Sequence, residues 1–373
     1  MKLKVLTILG TRPEIIRLSR IIDKLNNNFN HVLVNTGQNY DHHLNNLFFK
    51  ELKLKKPDYN LNCKNKNAIE FISQVLVKFD DVLTKEKPDL VLVLGDTNSA
   101  ISVLSAKKKR IPIFHIEAGN RCYDLRVPEE INRSLIDKIS DINMVYSDVA
   151  KNNLIKENFP LDQIFKIGSP LREVFEYYKD EIGNSKILKK LNLKENNYIL
   201  VSCHREENLN NFNNLNNIFA AINNLSIKYN SKIIFSTHPR IQKKLKNIKK
   251  SSLKNILFHK PFGYFDYVKL QLNSRLTISD SGSIVEESNI LNFPAVNLRE
   301  TTERQEGMEK GSVIISTLKI NQIIASAEII LNRFLYNCAF DIHKDYSELN
   351  VSDKVVTIIQ SYTDYINRKV WYK

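Results

Sequence analysis

The sequence comprises 373 residues, of which 42% are apolar and only 10 are Gly and 10 are Pro, a composition that excludes disordered, collagen-like and fibrous proteins. At roughly 100–200 residues per domain, this length predicts two globular domains rather than a single small module. The formal net charge is +14, but the basic residues are scattered without interleaved aromatic residues, which favours a solvated surface over a nucleic-acid groove.

The amino-terminal apolar run is too short for a signal peptide, and no later window approaches the ~20 apolar residues of a membrane-spanning helix. The four cysteines are far apart and form no C-x-x-C pair, so the sequence indicates neither a disulfide framework nor a zinc site. We therefore expect a reduced, cytoplasmic protein that is not inserted in a membrane.

Short β-branched runs alternate with longer segments of helical period, a pattern typical of parallel β-α-β units. The predicted fold class is α/β, with two Rossmann-like doubly wound domains. Predicted strands of the first half lie at 3–9, 31–35, 90–94, 111–115, 142–146 and 164–167, with helices at 13–26, 68–85, 98–108 and 128–140. Those of the second half lie at 198–202, 232–236, 256–259, 276–278 and 295–297, and a final amphipathic helix covers 352–367. The predicted domains are 1–175 and 176–350, followed by a terminal segment at 351–373.

Three carboxylates follow strands of the first predicted sheet, where ligands of such folds bind. Asp96 and Glu117 come directly after strands, and Glu129 opens the next helix. Each has a structural alternative: Asp96 as a helix cap, Glu117 as an ion-pair partner of Arg121, and Glu129 as a complement to the helix dipole. Because neighbouring strands end at one edge of a sheet, the three carboxylates could converge on one crevice and transfer protons there.

Anion-binding candidates lie at other strand ends. Arg12 stands beside a predicted helix amino terminus and suits an anion cradle, although a solvated Arg in a β-α turn is an equal alternative. His204 and Arg205 form a pair suited to phosphate binding or proton transfer, or His204 is an ordinary partly buried histidine.

A second set of polar residues follows the later strands. Ser281, Gly282 and Ser283 form a candidate phosphate nest, and Glu287, one turn into the next helix, could bind ribose hydroxyls. Arg304 belongs to a run that is either a solvated charge cluster or, beside the nest, a diphosphate-binding group. The sequence predicts no metal site and no Ser-His-Asp hydrolase, because the spacings of both are absent.

Together, the motifs G-T-R-P-E, L-G-D-T-N-S, H-I-E-A-G-N-R, V-P-E-E-I-N-R, H-R-E-E-N, D-S-G-S-I-V-E-E and E-T-T-E-R resemble the UDP-N-acetylglucosamine 2-epimerase family. The resemblance covers about residues 3–330 in the same order. It implies a GT-B-like pair of domains with the active site between them, a carboxy-terminal helix that returns to the first domain, and a homodimer.

The resemblance also assigns roles to the candidate residues. It implies a UDP-2-acetamido-sugar as substrate and no cofactor or metal. The implied catalytic residues are Asp96, Glu117, Glu129 and His204. The implied substrate-binding residues are Arg12, Arg17, Arg205, Tyr267, Ser281, Gly282, Ser283, Glu287 and Arg304.

Several positions depart from most of that family. Arg17 stands where most members carry Lys, Glu206 where they carry Arg, and Ser283 where they carry a second Gly. Phe262 and Tyr267 also stand where many members have Gln and Phe. These departures, with the string at 119–130, resemble the subgroup that makes UDP-N-acetyl-L-fucosamine for capsule or O-antigen synthesis.

The implied reaction is inversion at C2 of the sugar through elimination and re-addition of UDP. The C2 proton has no adjacent carbonyl to acidify it, so departure of UDP has to come first, with phosphate-binding groups and carboxylates sharing the charge. Alternatives left open are epimerisation or hydrolysis of UDP-N-acetylglucosamine and a GT-B glycosyltransferase; a nucleic-acid-binding protein is a remote alternative.

Overall fold

The computed structural model describes residues 2–38, 42–64, 67–203, 205, 208, 212–237, 255–335 and 341–373, with the backbone alone at 42–46 and 212. The strands are β1 Lys4–Leu9, β2 Asn30–Asn35, β3 Tyr59–Asn60, β4 Leu90–Leu94, β5 Ile113–Ile116, β6 Ile142–Val145, β7 Ile164–Lys166, β8 Tyr198–Cys203, β9 Lys232–Thr237, β10 Ile256–His259, β11 Leu276–Ser279, β12 Ala295–Leu298 and β13 Val313–Ser316. The helices are α1 Arg12–Asn28, α2 His42–Glu51, α3 Ala68–Glu86, α4 Val103–Lys108, α5 Pro128–Ile139, α6 Asp148–Lys156, α7 Leu171–Tyr177, α8 Lys179–Gly183, α9 Ile187–Lys190, α10 Phe212–Tyr229, α11 Tyr264–Asn273, α12 Ile284–Leu291, α13 Ile320–Leu335 and α14 Val351–Lys369. Short 3₁₀ turns occur at Ala100–Ser102, Leu161–Gln163, Gln305–Met308 and Lys344–Tyr346.

The chain forms two compact units. The first contains residues 1–176 and 344–373, and the second contains residues 177–343. The first unit is therefore built from two separate stretches of sequence, and its last helix, α14, packs against its first, α1.

The first unit is organised around a parallel sheet with the strand order β3-β2-β1-β4-β5-β6-β7. All five residues of β4, Leu-Val-Leu-Val-Leu, are buried, as expected for a parallel strand covered on both faces. The order reverses between β1 and β4, and the carboxyl ends of strands at such a switch point are where doubly wound folds bind ligands.

The second unit contains a parallel sheet with the order β10-β9-β8-β11-β12-β13. Its main core joins apolar side chains of the central strands to those of α10 and α13. Here the switch point lies between β8 and β11, and the loops that follow these strands carry the second set of candidate residues.

The predicted α/β class with two parallel sheets is confirmed. Two strands, β3 and β13, were not expected. Strand β3 has only two residues, too few for a recognisable pattern. The predicted helix at 98–108 is divided into the 3₁₀ turn Ala100–Ser102 and the shorter α4.

Candidate functional site

The turn after β1 is organised by Glu14, a buried residue in the first turn of α1. Its carboxylate accepts the backbone N–H groups of Gly10 (2.6 Å) and Thr11 (2.7 Å), and the hydroxyl of Thr97 (2.6 Å). Burial raises the pKa of Glu14 to about 7, and the hydrogen bonds oppose that rise. One carboxylate thus ties the loops after β1 and β4 together, as in a helix capping box extended to a second loop.

Asp96 follows β4 and is held by α5. The guanidinium of Arg133 contacts Oδ2 of Asp96 through Nε (2.9 Å) and a terminal nitrogen (2.7 Å). The Asn132 amide donates to the Asp96 carbonyl at 2.9 Å. The Asp96 side chain remains 23% exposed, so it is positioned by an arginine and still reaches solvent.

Glu117 follows β5 and has an unusual backbone. Its φ of 70° lies in the left-handed region, which costs a non-glycine residue about 1–2 kcal/mol. Oε2 lies 3.7 Å from the Arg17 guanidinium and accepts the Tyr146 hydroxyl at 3.4 Å. Arg17 in turn lies over the Tyr146 ring, 5.6 Å from its centroid.

Glu129 lies in the first turn of α5 and is half-buried. The adjacent Glu130 is buried and accepts the N–H groups of Cys122 (3.1 Å) and Tyr123 (2.9 Å), which holds the loop after β5 against α5. Arg133 also pairs with Glu130 at 2.8 Å.

The first unit therefore places Asp96, Glu117 and Glu129 at the same edge of its sheet. Strands β4 and β5 are paired, so their loops are neighbours. A Cβ built on Gly95, the residue before Asp96, would lie 4.0 Å from Oε2 of Glu117. Carboxylates grouped in this way can accept a proton from a bound molecule and return one to it.

In the second unit, Ser281, Gly282 and Ser283 connect β11 to α12. The two serine hydroxyls lie 2.9 Å apart, and the Asn297 amide donates to the Ser281 carbonyl at 3.1 Å. Hydroxyls and backbone N–H groups at a helix amino terminus are suited to binding phosphate oxygens.

Arg304 is buried beside this loop. It forms ion pairs with Glu286 (2.6 Å) and with Glu303. A Cβ on Gly282 would lie 2.6 Å from Glu303 Oε1 and 2.9 Å from an Arg304 nitrogen, so only glycine allows this close approach. The alternative of a solvated charge run is wrong for Arg299, Glu303 and Arg304, which are all buried.

The remaining described candidates of the second unit surround the same strand ends. Arg205 donates through its backbone N–H to the Asp280 carboxylate (2.9 Å) and through Nε to the Asp280 carbonyl (3.0 Å). Glu287 accepts the Gln271 amide at 2.6 Å. Burial, followed by the nearby Glu287 charge, raises the pKa of Tyr267.

Arg12 lies half-buried in the first turn of α1. His204, predicted to be catalytic, and Glu206 lie outside the described residues. Sequence reasoning missed Glu14, Arg133 and Tyr146 as parts of the site. Glu14 and Arg133 do stand within two of the motifs, as the final E of G-T-R-P-E and the final R of V-P-E-E-I-N-R. In the structure, Glu14 accepts the Thr97 hydroxyl and Arg133 binds Asp96.

The described residues offer no evident metal site. Among them, no group of three or more His, Cys, Asp and Glu side chains is arranged to hold a metal ion. No helix in the described part of the chain is long and apolar enough to cross a membrane.

Comparisons with known proteins agree with this geometry. The family model described as UDP-N-acetylglucosamine 2-epimerase matches residues 23–360. A UDP-N-acetylglucosamine 2-epimerase of Methanococcus maripaludis is 40% identical over 336 residues, covering 88% of this chain and 92% of the relative.

Solved structures extend the similarity to the whole chain. A UDP-N-acetylglucosamine 2-epimerase from Rickettsia bellii has a TM-score of 0.93 and 44% identity, with 100% of both chains covered. The Methanocaldococcus jannaschii UDP-GlcNAc 2-epimerase, solved in complex with UDP-GlcNAc and UDP, has a TM-score of 0.89 and 36% identity, covering 96% of this chain and 99% of that one. The chain therefore belongs to the UDP-N-acetylglucosamine 2-epimerase family, whose members are isomerases.

Proposed function

We propose that the protein inverts C2 of a UDP-2-acetamido-sugar without hydrolysing it. The observation that carries this proposal is the grouping of Asp96, Glu117 and Glu129 at one sheet edge, with Glu117 held in a strained backbone conformation. Strain of this kind persists where the surrounding structure imposes it and is concentrated at functional sites.

In the proposed reaction, the C1–O bond to UDP breaks first and the electron pair leaves with the diphosphate. Ser281, Ser283 and Arg304, assisted by Arg12, Arg205 and His204, would stabilise the departing negative charge. Tyr267 and Glu287 would contact the nucleoside portion.

The positive charge that develops on the sugar acidifies the C2 proton, which a carboxylate then accepts. The resulting glycal receives a proton at C2 from the opposite face, and UDP adds again to C1. Two acid/base groups on different sides of the sugar are therefore needed, and we assign Glu117 and Glu129 to these roles.

Asp96 suits a different task. Both contacts of Arg133 are made to one Asp96 oxygen, Oδ2, so that oxygen is occupied by a fixed cation. We assign Asp96 to stabilising the positive sugar or to relaying a proton through its second oxygen.

We propose UDP-2-acetamido-2,6-dideoxy-L-talose as the substrate, giving UDP-N-acetyl-L-fucosamine. Support comes from Arg17, Glu206 and Ser283, which depart from most of the family, and from the string at 119–130; together they resemble that subgroup. Arg17 is buried and contacts Glu117, so its replacement of Lys changes the surroundings of a proposed acid/base group. UDP-N-acetylglucosamine is the second candidate substrate, and the names of the Methanococcus and Rickettsia relatives favour it.

Incubation of the protein with each of the two nucleotide sugars in heavy water, followed by NMR of the products, tests these proposals. We expect deuterium at C2 and an intact UDP-sugar of inverted configuration, with faster turnover of the L-talose derivative. Free UDP accumulating with free sugar would indicate hydrolysis. Absence of deuterium at C2 from both sugars would refute epimerisation and leave a glycosyltransferase to be tested with acceptors.

We also propose a homodimer. Helices α3 and α5 both pack against the turn Ala100–Ser102. Helix α3 exposes Ile69 (76%) and Val77 (65%), and helix α5 exposes Ile131 (56%) and Leu135 (43%). Apolar surfaces of this kind are commonly covered in oligomers. Light scattering should give twice the chain mass, and the double substitution V77D and L135D should shift it to the monomer mass; an unchanged dimer would exclude this surface.

A further inference from the structure

A fully buried histidine and aspartate lie beneath the proposed carboxylates. His115 is the third residue of β5 and Asp137 lies in α5, and both are 0% exposed. Nδ1 of His115 is 2.8 Å from Asp137 Oδ1, and Nε2 is 2.9 Å from the Gly95 carbonyl oxygen. The Gly95 carbonyl oxygen can only accept, so Nε2 of His115 donates to it, and Nδ1 faces the Asp137 carboxyl group.

The second oxygen of Asp137 is also used. It accepts the Gly119 N–H at 3.1 Å and a terminal nitrogen of Arg121 at 2.7 Å. Arg121 then binds Glu157 through two contacts of 2.7 Å each. The buried Asp137 carboxyl group is thus held by the His115 ring, the Arg121 guanidinium and a backbone N–H, and Arg121 extends to the partly exposed Glu157. Pairing and hydrogen bonding of this kind are the conditions under which charges are tolerated in a protein interior.

The contacts of this cluster lead to every segment that carries a proposed carboxylate. Gly95 immediately precedes Asp96. Gly119 follows Glu117 by two residues, and the backbone just before it includes the left-handed φ of Glu117. Asp137 itself belongs to α5, the helix that opens with Glu129.

We propose that His115 and Asp137 are a positioning pair that fixes Asp96, Glu117 and Glu129 relative to one another. This inference rests on the proposed function, because it assigns the three carboxylates to one reaction. Neither residue touches the sugar. The pair acts by holding the backbone on both sides of the catalytic groups, and a displacement of about 1 Å at such groups can reduce turnover about 10²-fold.

The same unit provides a matched control. His31 is also buried, with Nδ1 2.8 Å from Asn26 Oδ1 and Nε2 2.9 Å from the Thr7 hydroxyl. Burial lowers the pKa of His31 to about 4. Its partners lie on α1 and β1 and carry none of the proposed catalytic carboxylates, so H31Q removes a buried, doubly hydrogen-bonded histidine without touching the three segments.

The test compares H115N, H115Q and D137N with H31Q. Asparagine retains a donor near the Nδ1 position, and glutamine retains one near the Nε2 position, so each His115 variant preserves one contact and breaks the other. We expect kcat to fall about 10²-fold in all three. We expect UDP affinity to stay within about twofold, because the substrate-binding candidates other than Arg12 and Arg17 belong to the second unit. H31Q should lower the melting temperature and leave kcat within about twofold of the wild type.

Several results would overturn the proposal. Folded H115Q and D137N enzymes with kcat near that of the wild type would show that the pair does not position the carboxylates, and an equal loss in H31Q would show a general effect of stability. If the variants do not fold, imidazole ¹⁵N NMR of the wild type decides: a protonated Nε2 at His115 is expected, and an unprotonated Nε2 refutes the arrangement. Wild-type enzyme that places no deuterium at C2 refutes the proposed function itself, and this inference falls with it.

Discussion

Replacing Glu14 by glutamine should change how the stability of the first unit depends on pH. Burial raises the pKa of Glu14 from 4.5 to about 7. The folded state therefore binds the Glu14 proton more tightly than the unfolded state does. Below pH 4.5 this difference contributes fully to the stability of the folded state. That contribution is lost as the pH rises to about 7, and a shift of this size corresponds to about 3 kcal/mol.

The substituted glutamine side chain cannot ionise, so this pH dependence should be absent in E14Q. The variant does lose part of the acceptor capacity that binds the N–H groups of Gly10 and Thr11, but that penalty is the same at every pH. We therefore expect the free energy of unfolding of the wild type, measured relative to E14Q, to fall by about 3 kcal/mol between about pH 4.5 and about pH 8.

Urea unfolding followed by tryptophan fluorescence measures this difference. The chain contains one Trp, Trp371, which belongs to the first unit and has the Lys107 ammonium 5.0 Å from its ring centroid. E70Q removes another glutamate from the first turn of a helix and serves as the reference substitution. A constant difference between the wild type and E14Q across this pH range would refute the reasoning.

Three further substitutions test the site. E117Q should retain UDP affinity while turnover falls by about 10²–10⁴-fold, and near-normal turnover would remove Glu117 from the mechanism. R304A should weaken UDP binding and destabilise the second unit by about 3–5 kcal/mol, because it breaks the buried ion pair with Glu286. Unchanged UDP affinity in calorimetry would contradict the assignment of Arg304. G282A should cost about 1–3 kcal/mol of stability through overpacking and also weaken UDP binding. G183A, whose added Cβ would meet no atom within 4 Å, is the control, and equal effects of the two substitutions would exclude the steric explanation.

The sequence was most informative where polar residues directly follow apolar strands. Asp96 and Glu117 stand out because each ends a buried strand, and the rule for parallel sheets then places them at one edge. Ser281 and Ser283 were found in the same way. The alternation of strand and helix likewise predicted both sheets, apart from strands β3 and β13.

The supporting residues were harder to find, because their partners are distant in the sequence. Glu14 looks like an ordinary helix cap until Thr97 is seen to donate to it, and Asp137 looks like one polar residue within an amphipathic helix. His115 gave the clearest missed indication, since a histidine within an apolar strand needs two hydrogen-bond partners once it is buried. Its partners, Gly95 and Asp137, are determined by strand order and helix packing and not by spacing along the chain.

The discontinuity of the first unit has a consequence for biosynthesis. Residues 1–176 emerge from the ribosome long before residues 344–373, whose helix α14 packs against α1. Until α14 has been synthesised, the part of α1 that packs against it is uncovered. The second unit is encoded without interruption, so it can reach its native structure before α14 is made, and the carboxylates that we propose as catalytic acquire their completed scaffold only after α14 has been synthesised.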